Sequence, residues 1–149
     1  MTYIWDTNIL LYVVKKPQLL ENLNKKYNFS SNNNQVYIST VSVGEIHALA
    51  FRNGWGIKRK AELNEFLKTI KTIPVTDNEA LIEMYSEIDA YSYGKHPVLK
   101  LQTSARKMGK NDLWIAATTA VLDATLISTD TDFDHLNNLF FYFEKITVP

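Results

Sequence analysis

Met1-Thr2-Tyr3-Ile4-Trp5-Asp6-Thr7-Asn8-Ile9-Leu10-Leu11-Tyr12 is the stretch on which the fold turns. Thr2–Trp5 carries strand-forming side chains and runs straight into an aspartate. Thr7 and Asn8 follow, and then an apolar run at helical spacing. Open α/β sheets place their chemistry where a strand's carboxyl end meets the start of a helix. Asp6 occupies such a place.

Working outward, the rest of the chain repeats this alternation. Thr7–Val14 and the segment from Pro17 toward Tyr27 have helical patterns, and Ser30–Asn34 is turn-rich. Val36–Ser39 is a second β-rich run. Val41–Arg52 follows at helical spacing and is closed by Gly54 and Gly56. Ile57–Ile70 is amphipathic, with Ile57, Ala61, Leu63, Phe66, Leu67 and Ile70 on one stripe. Ile73–Val75 is a brief strand, and Asp77 is placed to cap the next helix. Tyr91–Lys110 is irregular. Asn111–Leu122 is a helix capped by Asn111 or Asp112, and Thr125–Ser128 is a strand that leaves through an acidic turn. One of Leu139–Phe143 and Ile146–Val148 forms an edge strand. Strands alternating with helices at these lengths predict right-handed βαβ units and a parallel sheet covered on both faces. The pattern contains no repeat or linker and fits one domain over residues 1–149.

Composition narrows the chemistry. There are no cysteines, which excludes disulfides and thiolate metal sites. No apolar run approaches the roughly 20 residues a bilayer requires, and a cytoplasmic protein is expected. Net charge is zero, from 16 basic and 16 acidic side chains, so nothing global draws the chain to nucleic acid. The distribution is uneven. Lys95, Lys100, Arg106, Lys107 and Lys110 form a basic stretch, and Asp123, Asp130, Asp132 and Asp134 an acidic one. That order suits an anionic ligand at a cation-filled acidic site; two solvated loops would look the same.

The expected sheet brings acids to one edge. Asp6 and Asp130 each follow a strand, while Glu45 and Asp112 lie near helix amino ends that face the same edge and tolerate negative charge. Carboxylates held together repel, so one binds a proton or a cation neutralises them. Oxygen donors without cysteine or paired histidines favour Mg²⁺ or Mn²⁺; His47, His96 and His135 are too scattered for zinc. Each acid alone has a plainer reading as a helix cap, a solvated helix residue or a turn acid. Their joint placement argues for a site.

Four ordered motifs now resemble a known family. Asp6-Thr7-Asn8-Ile9-Leu10, Ser42-Val43-Gly44-Glu45-Ile46, Asn111-Asp112-Leu113-Trp114-Ile115-Ala116-Ala117 and Ser128-Thr129-Asp130-Thr131-Asp132-Phe133 resemble those of PIN-domain nucleases, most closely the VapC-like toxin ribonucleases. The resemblance implies a three-layer α/β/α fold on a mainly parallel five-stranded sheet. It implies a Mg²⁺- or Mn²⁺-dependent endoribonuclease that hydrolyses RNA phosphodiesters by activated water. It also implies a homodimer and a cognate antitoxin protein. Asp6, Glu45, Asp112 and Asp130 match the acidic quartet, and Asp132 an acid found in some members. Asn8 and Ser128 match positions that support the site by hydrogen bonds. Apart from the resemblance, the basic run Lys95–Lys110 directly before Asp112 is expected to approach RNA phosphates, with Lys107 and Lys110 closest. Trp5 and Trp114 fit core packing, and Trp55 fits a base-stacking residue, a partner contact or a buried loop anchor. The alternatives are a degenerate PIN-like module that binds RNA or protein without catalysis, and a phosphatase using Asp6 as nucleophile. The second usually needs an acid where Asn8 stands.

Overall fold

A computed structural model describes all residues from Met1 to Pro149. In chain order the elements are β1 (Thr2–Trp5), α1 (Thr7–Lys15), α2 (Pro17–Tyr27), β2 (Gln35–Ser39), α3 (Thr40–Arg52) and α4 (Ile57–Leu67). Then come β3 (Lys71–Ile73), α5 (Glu79–Ser92), α6 (Lys110–Val121), β4 (Thr125–Ser128), a 3-10 helix (Thr131–Leu136) and β5 (Tyr142–Lys145).

The sheet has five strands in the order β3-β2-β1-β4-β5, and every pairing is parallel. Its two faces alternate as a pleated strand dictates. Ile4, Leu126 and Phe143 point toward α5 and α6, with Ile88, Leu113 and Ile115. Tyr3, Trp5, Ile38 and Ile127 point the other way, onto α1–α4, with Leu10, Ile46 and Leu63. Two cores thus sandwich one sheet, and the three-layer α/β/α expectation stands. Trp5 is buried as expected, and Trp114 packs against Tyr85 in a tilted arrangement with ring centroids 4.3 Å apart. Trp55 is also buried; Arg59 lies over its ring at 3.6 Å, which makes it a loop anchor.

The structure corrects several local expectations. β3 covers Lys71–Ile73 rather than Ile73–Val75, pairing Ile73 with Ser39. Pro74 has no N–H to give a ladder, so the strand ends before it. Asn78, not Asp77, caps α5; its Oδ1 accepts from Leu81 N at 3.2 Å. α6 begins one residue early, behind Gly109, with no side-chain cap, so neither Asn111 nor Asp112 caps it. α4 stops at Leu67, and Ile57 at its start is exposed despite falling on the apolar stripe. The edge strand is Tyr142–Lys145, overlapping only the end of the Leu139–Phe143 run; register with β4 puts Phe143 inward and Tyr142 outward. No helix is long and apolar enough to cross a membrane.

Candidate active site

The carboxyl edge of the sheet carries the acids. Asp6 is the first residue past β1, and its backbone N–H donates to Ile127 O at 3.1 Å, locking the β1 exit onto β4. Its side chain is buried. One carboxylate oxygen accepts from Thr7 N at 2.7 Å and the other from Ser128 Oγ at 2.6 Å. Both oxygens are held in place, and this arrangement does not suit a group that must swing to attack phosphorus. The helix-capping reading is therefore correct as well, because Asp6 is the N-cap of α1.

Ser128 ends β4, fully buried, and does two jobs. Its hydroxyl donates to Asp6 and accepts from Asp130 N at 3.0 Å. Asp130 in turn accepts from Asp132 N at 3.0 Å, which starts the 3-10 helix. One hydroxyl thus ties the exits of β1 and β4 together.

α3 brings the second acid. Ser39 caps it, accepting from Val41 N at 3.1 Å, and Glu45 sits in its second turn. The Thr7 hydroxyl donates to Glu45 Oε1 at 3.2 Å and shares a hydrogen bond with Ser42 Oγ at 3.0 Å. Thr7 and Ser42 are site residues that sequence reasoning missed. The available signal was two small hydroxyls, one next to Asp6 and one a helical turn before Glu45. Asn8, expected to support the site, is half-buried and makes no side-chain hydrogen bond within the chain. The side-chain hydrogen bonds at this point of the site come from Thr7.

Asp112 enters from α6, in its first turn and half-buried. Gly109 leaves it space: a Cβ there would stand 3.4 Å from Asp112 Oδ2. Burial, first, and then the charges of Asp6, Glu45, Asp130 and Asp132 push the Asp112 carboxyl up to about 7. Burial likewise raises Asp6 to about 6, against the lowering effect of its hydrogen bonds from Ser128 and Thr7; Glu45 and Asp130 raise it further. These influences place the five acids in one electrostatic neighbourhood.

The residues suit a hard divalent cation by donor chemistry. They offer carboxylate oxygens only, with excess negative charge, and burial followed by mutual repulsion raises the Asp6 and Asp112 carboxyls well above the ordinary carboxylate range. No three acidic or histidine side chains stand in a ready-made ligand geometry, so the carboxylates would have to draw in around an ion.

Lys107 and Lys110 are exposed and form no ion pair. The basic residue tied to the acidic turn is Arg106, whose Nη1 donates to Thr131 O at 3.4 Å. Behind that turn, His135 Nε2 lies 2.7 Å from Ser92 Oγ. Burial and then Arg106 lower its pKa to about 4.

A family model described as "PIN domain" matches residues 3–139. The chain belongs to the PIN-domain family. PIN domains are nucleases, and they generally use divalent metal ions. Solved structures agree on the fold. VapBC2 from Rickettsia felis, bound to a DNA fragment from its promoter, matches at 22% identity and TM-score 0.76, over 97% of this chain and 98% of that one. VapBC-1 from nontypeable Haemophilus influenzae matches at 22% identity and TM-score 0.73, over 97% and 98%. VapBC-5 from Mycobacterium tuberculosis, of the VapBC family of toxin–antitoxin systems, matches at 21% identity and TM-score 0.60, over 99% and 98%. No curated protein matches the chain. With these, the resemblance to VapC-like PIN domains rests on the whole fold as well as on four motifs.

Proposed function

We propose that this PIN domain is a Mg²⁺- or Mn²⁺-dependent endoribonuclease and the toxin of a toxin–antitoxin pair. The observation that carries the reading is the gathering of acids at one sheet edge, where Ser128 bridges Asp6 and the Asp130 turn, Thr7 reaches Glu45 and Asp112 enters from the first turn of α6. Burial first, and then mutual repulsion, raises the Asp6 and Asp112 carboxyls toward neutrality, and a bound cation would offset that cost.

In this reading Asp6, Glu45, Asp112 and Asp130 hold the ion, with Asp132 beside them. The ion supplies Lewis acidity toward a water and offsets charge developing on the phosphoryl oxygens. Ser128 keeps Asp6 and Asp130 in fixed orientation, and Thr7 does the same for Glu45. Asp112 gives up its proton when the cluster is neutralised. Lys107 and Lys110, exposed on the basic stretch before Asp112, bind RNA phosphates and position the strand without reading its bases. The VapBC neighbours support a cognate antitoxin as partner, and a homodimer remains part of the proposal.

Purified protein incubated with total RNA and Mg²⁺ or Mn²⁺ is expected to give a few discrete cleavage ends. Asp112→Asn is expected to fold and to cut at background level. Full activity of Asp112→Asn with metal present would sink the mechanism. RNA bound tightly but never cut by the wild type would instead favour a non-catalytic binding module.

A further inference from the structure

α3 leads away from the acidic edge and ends in a basic surface. Ser39, the last residue of β2, caps α3, so the helix starts at the sheet's carboxyl edge and runs outward past Glu45. Arg52 stands seven residues after Glu45. That spacing puts it on the same face of the helix, about 10 Å farther along the axis. Ala48 lies between them on that face, exposed, and presents only a methyl group.

Arg52, Lys58, Arg59 and Lys60 fall within nine residues, and no acid stands between Glu45 and Glu62. None of the four forms an ion pair. Cations gathered on a surface without acids repel one another and attract a polyanion. Two aromatic contacts fix the corner where α3 meets α4. Arg59 lies over the buried ring of Trp55, and Lys60 Nζ lies 4.5 Å from the centroid of Phe51. Phe51 is 76% exposed, so Lys60 orients the ring while most of it faces solvent.

Single-stranded nucleic acid is held by cations that follow its backbone and by aromatic rings on which its bases stack. We propose that the corner between α3 and α4 binds single-stranded RNA, with Phe51 stacking on a base and Arg52, Lys58 and Lys60 on the phosphates. The strand reaches this corner from the acidic site along the Glu45–Ala48–Arg52 face. An acidic peptide would use the same cations, but the helix face shared with Glu45 ties the corner to the site. The choice of RNA over a peptide rests on the nuclease reading.

The test is fluorescence anisotropy of a labelled single-stranded RNA with the full chain in chelator, where binding is read without cleavage. Phe51→Ala should raise the dissociation constant about tenfold, as loss of one stacked base implies, and Phe51→Trp should retain affinity. A strand of abasic sites should erase the difference between wild type and Phe51→Ala. Arg52→Ala and Lys60→Ala should each lower the slope of log affinity against log salt by about 0.7. Lys25→Ala, exposed on α2, serves as the charge control and should bind as wild type. The altered side chains are on the surface, and circular dichroism should show an unchanged fold. Absence of RNA binding by the wild type would overturn the proposal. So would unaltered binding by the Phe51 and Arg52 variants, an equal loss in Lys25→Ala, or a glutamate-rich peptide whose binding depends on Arg52 when that of RNA does not. Cleavage by the wild type with unaltered binding in the variants would remove this site and leave the nuclease reading standing. Binding as expected without cleavage when Mg²⁺ or Mn²⁺ is added would keep the site and remove the nuclease reading.

Discussion

Ser128 is the residue on which the site's geometry depends most. It contributes no charge and touches no substrate, yet one hydroxyl orients Asp6 and anchors the Asp130 turn. Supports of this kind typically change metal affinity or activity by ten- to a hundredfold. Ser128→Ala should therefore lower RNA cleavage by roughly that factor while the protein stays folded. Ser128→Thr keeps the hydroxyl and should retain most of the activity. Equal activity of the Ala and wild-type proteins across a Mn²⁺ titration would show that Ser128 only packs. Asp6 also illustrates how two readings coexist. It caps α1 and it belongs to the acidic cluster, because both roles need an oxygen at the same strand exit.

At the scale of elements, caps decide where side chains point. α5 is capped through Asn78 Oδ1, and Asn78→Ala should cost about 1 kcal/mol, read as a shift in the denaturation midpoint with unchanged slope. Asp77→Ala, which removes the residue that sequence pattern favours, should cost little by the same measure. α6 is the contrasting case. It starts at Lys110 behind Gly109, with no side-chain cap. That leaves the Asp112 carboxylate available to the cluster instead of engaged with its own helix. The helix amino end that favours an anion there has been given over to the site.

Over the whole molecule, the clustered acids make stability depend on pH in an unusual direction. Asp6 and Asp112 are raised to about 6 and about 7, above the value near 3.9 of an unfolded aspartate. Between these values the folded chain holds more protons than the unfolded one, so ion-free stability falls as pH rises from about 4 through about 7. His135, lowered to about 4, acts on the acid side: its contribution is present above about 6.5 and is lost as pH falls through about 4. In chelator, Asp112→Asn should melt roughly 2–4 °C above wild type at pH 8, and the gap should close near pH 4. Added Mn²⁺ should reverse the order at pH 8, because only the wild type gains the ion's binding energy. Calorimetry at the two pH values with and without Mn²⁺ decides this, and a gap that does not change with pH would refute it.

The order of strands and helices, the two-sided burial of the sheet and the identity of the acids were all legible along the chain. Hydrophobic period and residue type carry that information locally, so Thr2–Trp5, Pro17–Tyr27 and Thr125–Ser128 were found at their true bounds. Asp6, Glu45, Asp112 and Asp130 could be placed on one edge because parallel strands share a direction. The exact start of β3 and the edge strand Tyr142–Lys145 were not legible, since they depend on pairing register with β2 and β4, and the cap of α5 was not, since Asp77 and Asn78 are both good capping residues side by side. The roles of Thr7 and Ser42 were hidden for the same reason: their hydrogen bond spans 35 residues of chain. The raised pKa values of Asp6 and Asp112 are also tertiary properties, for desolvation and mutual repulsion arise only when packing brings distant carboxylates out of water together.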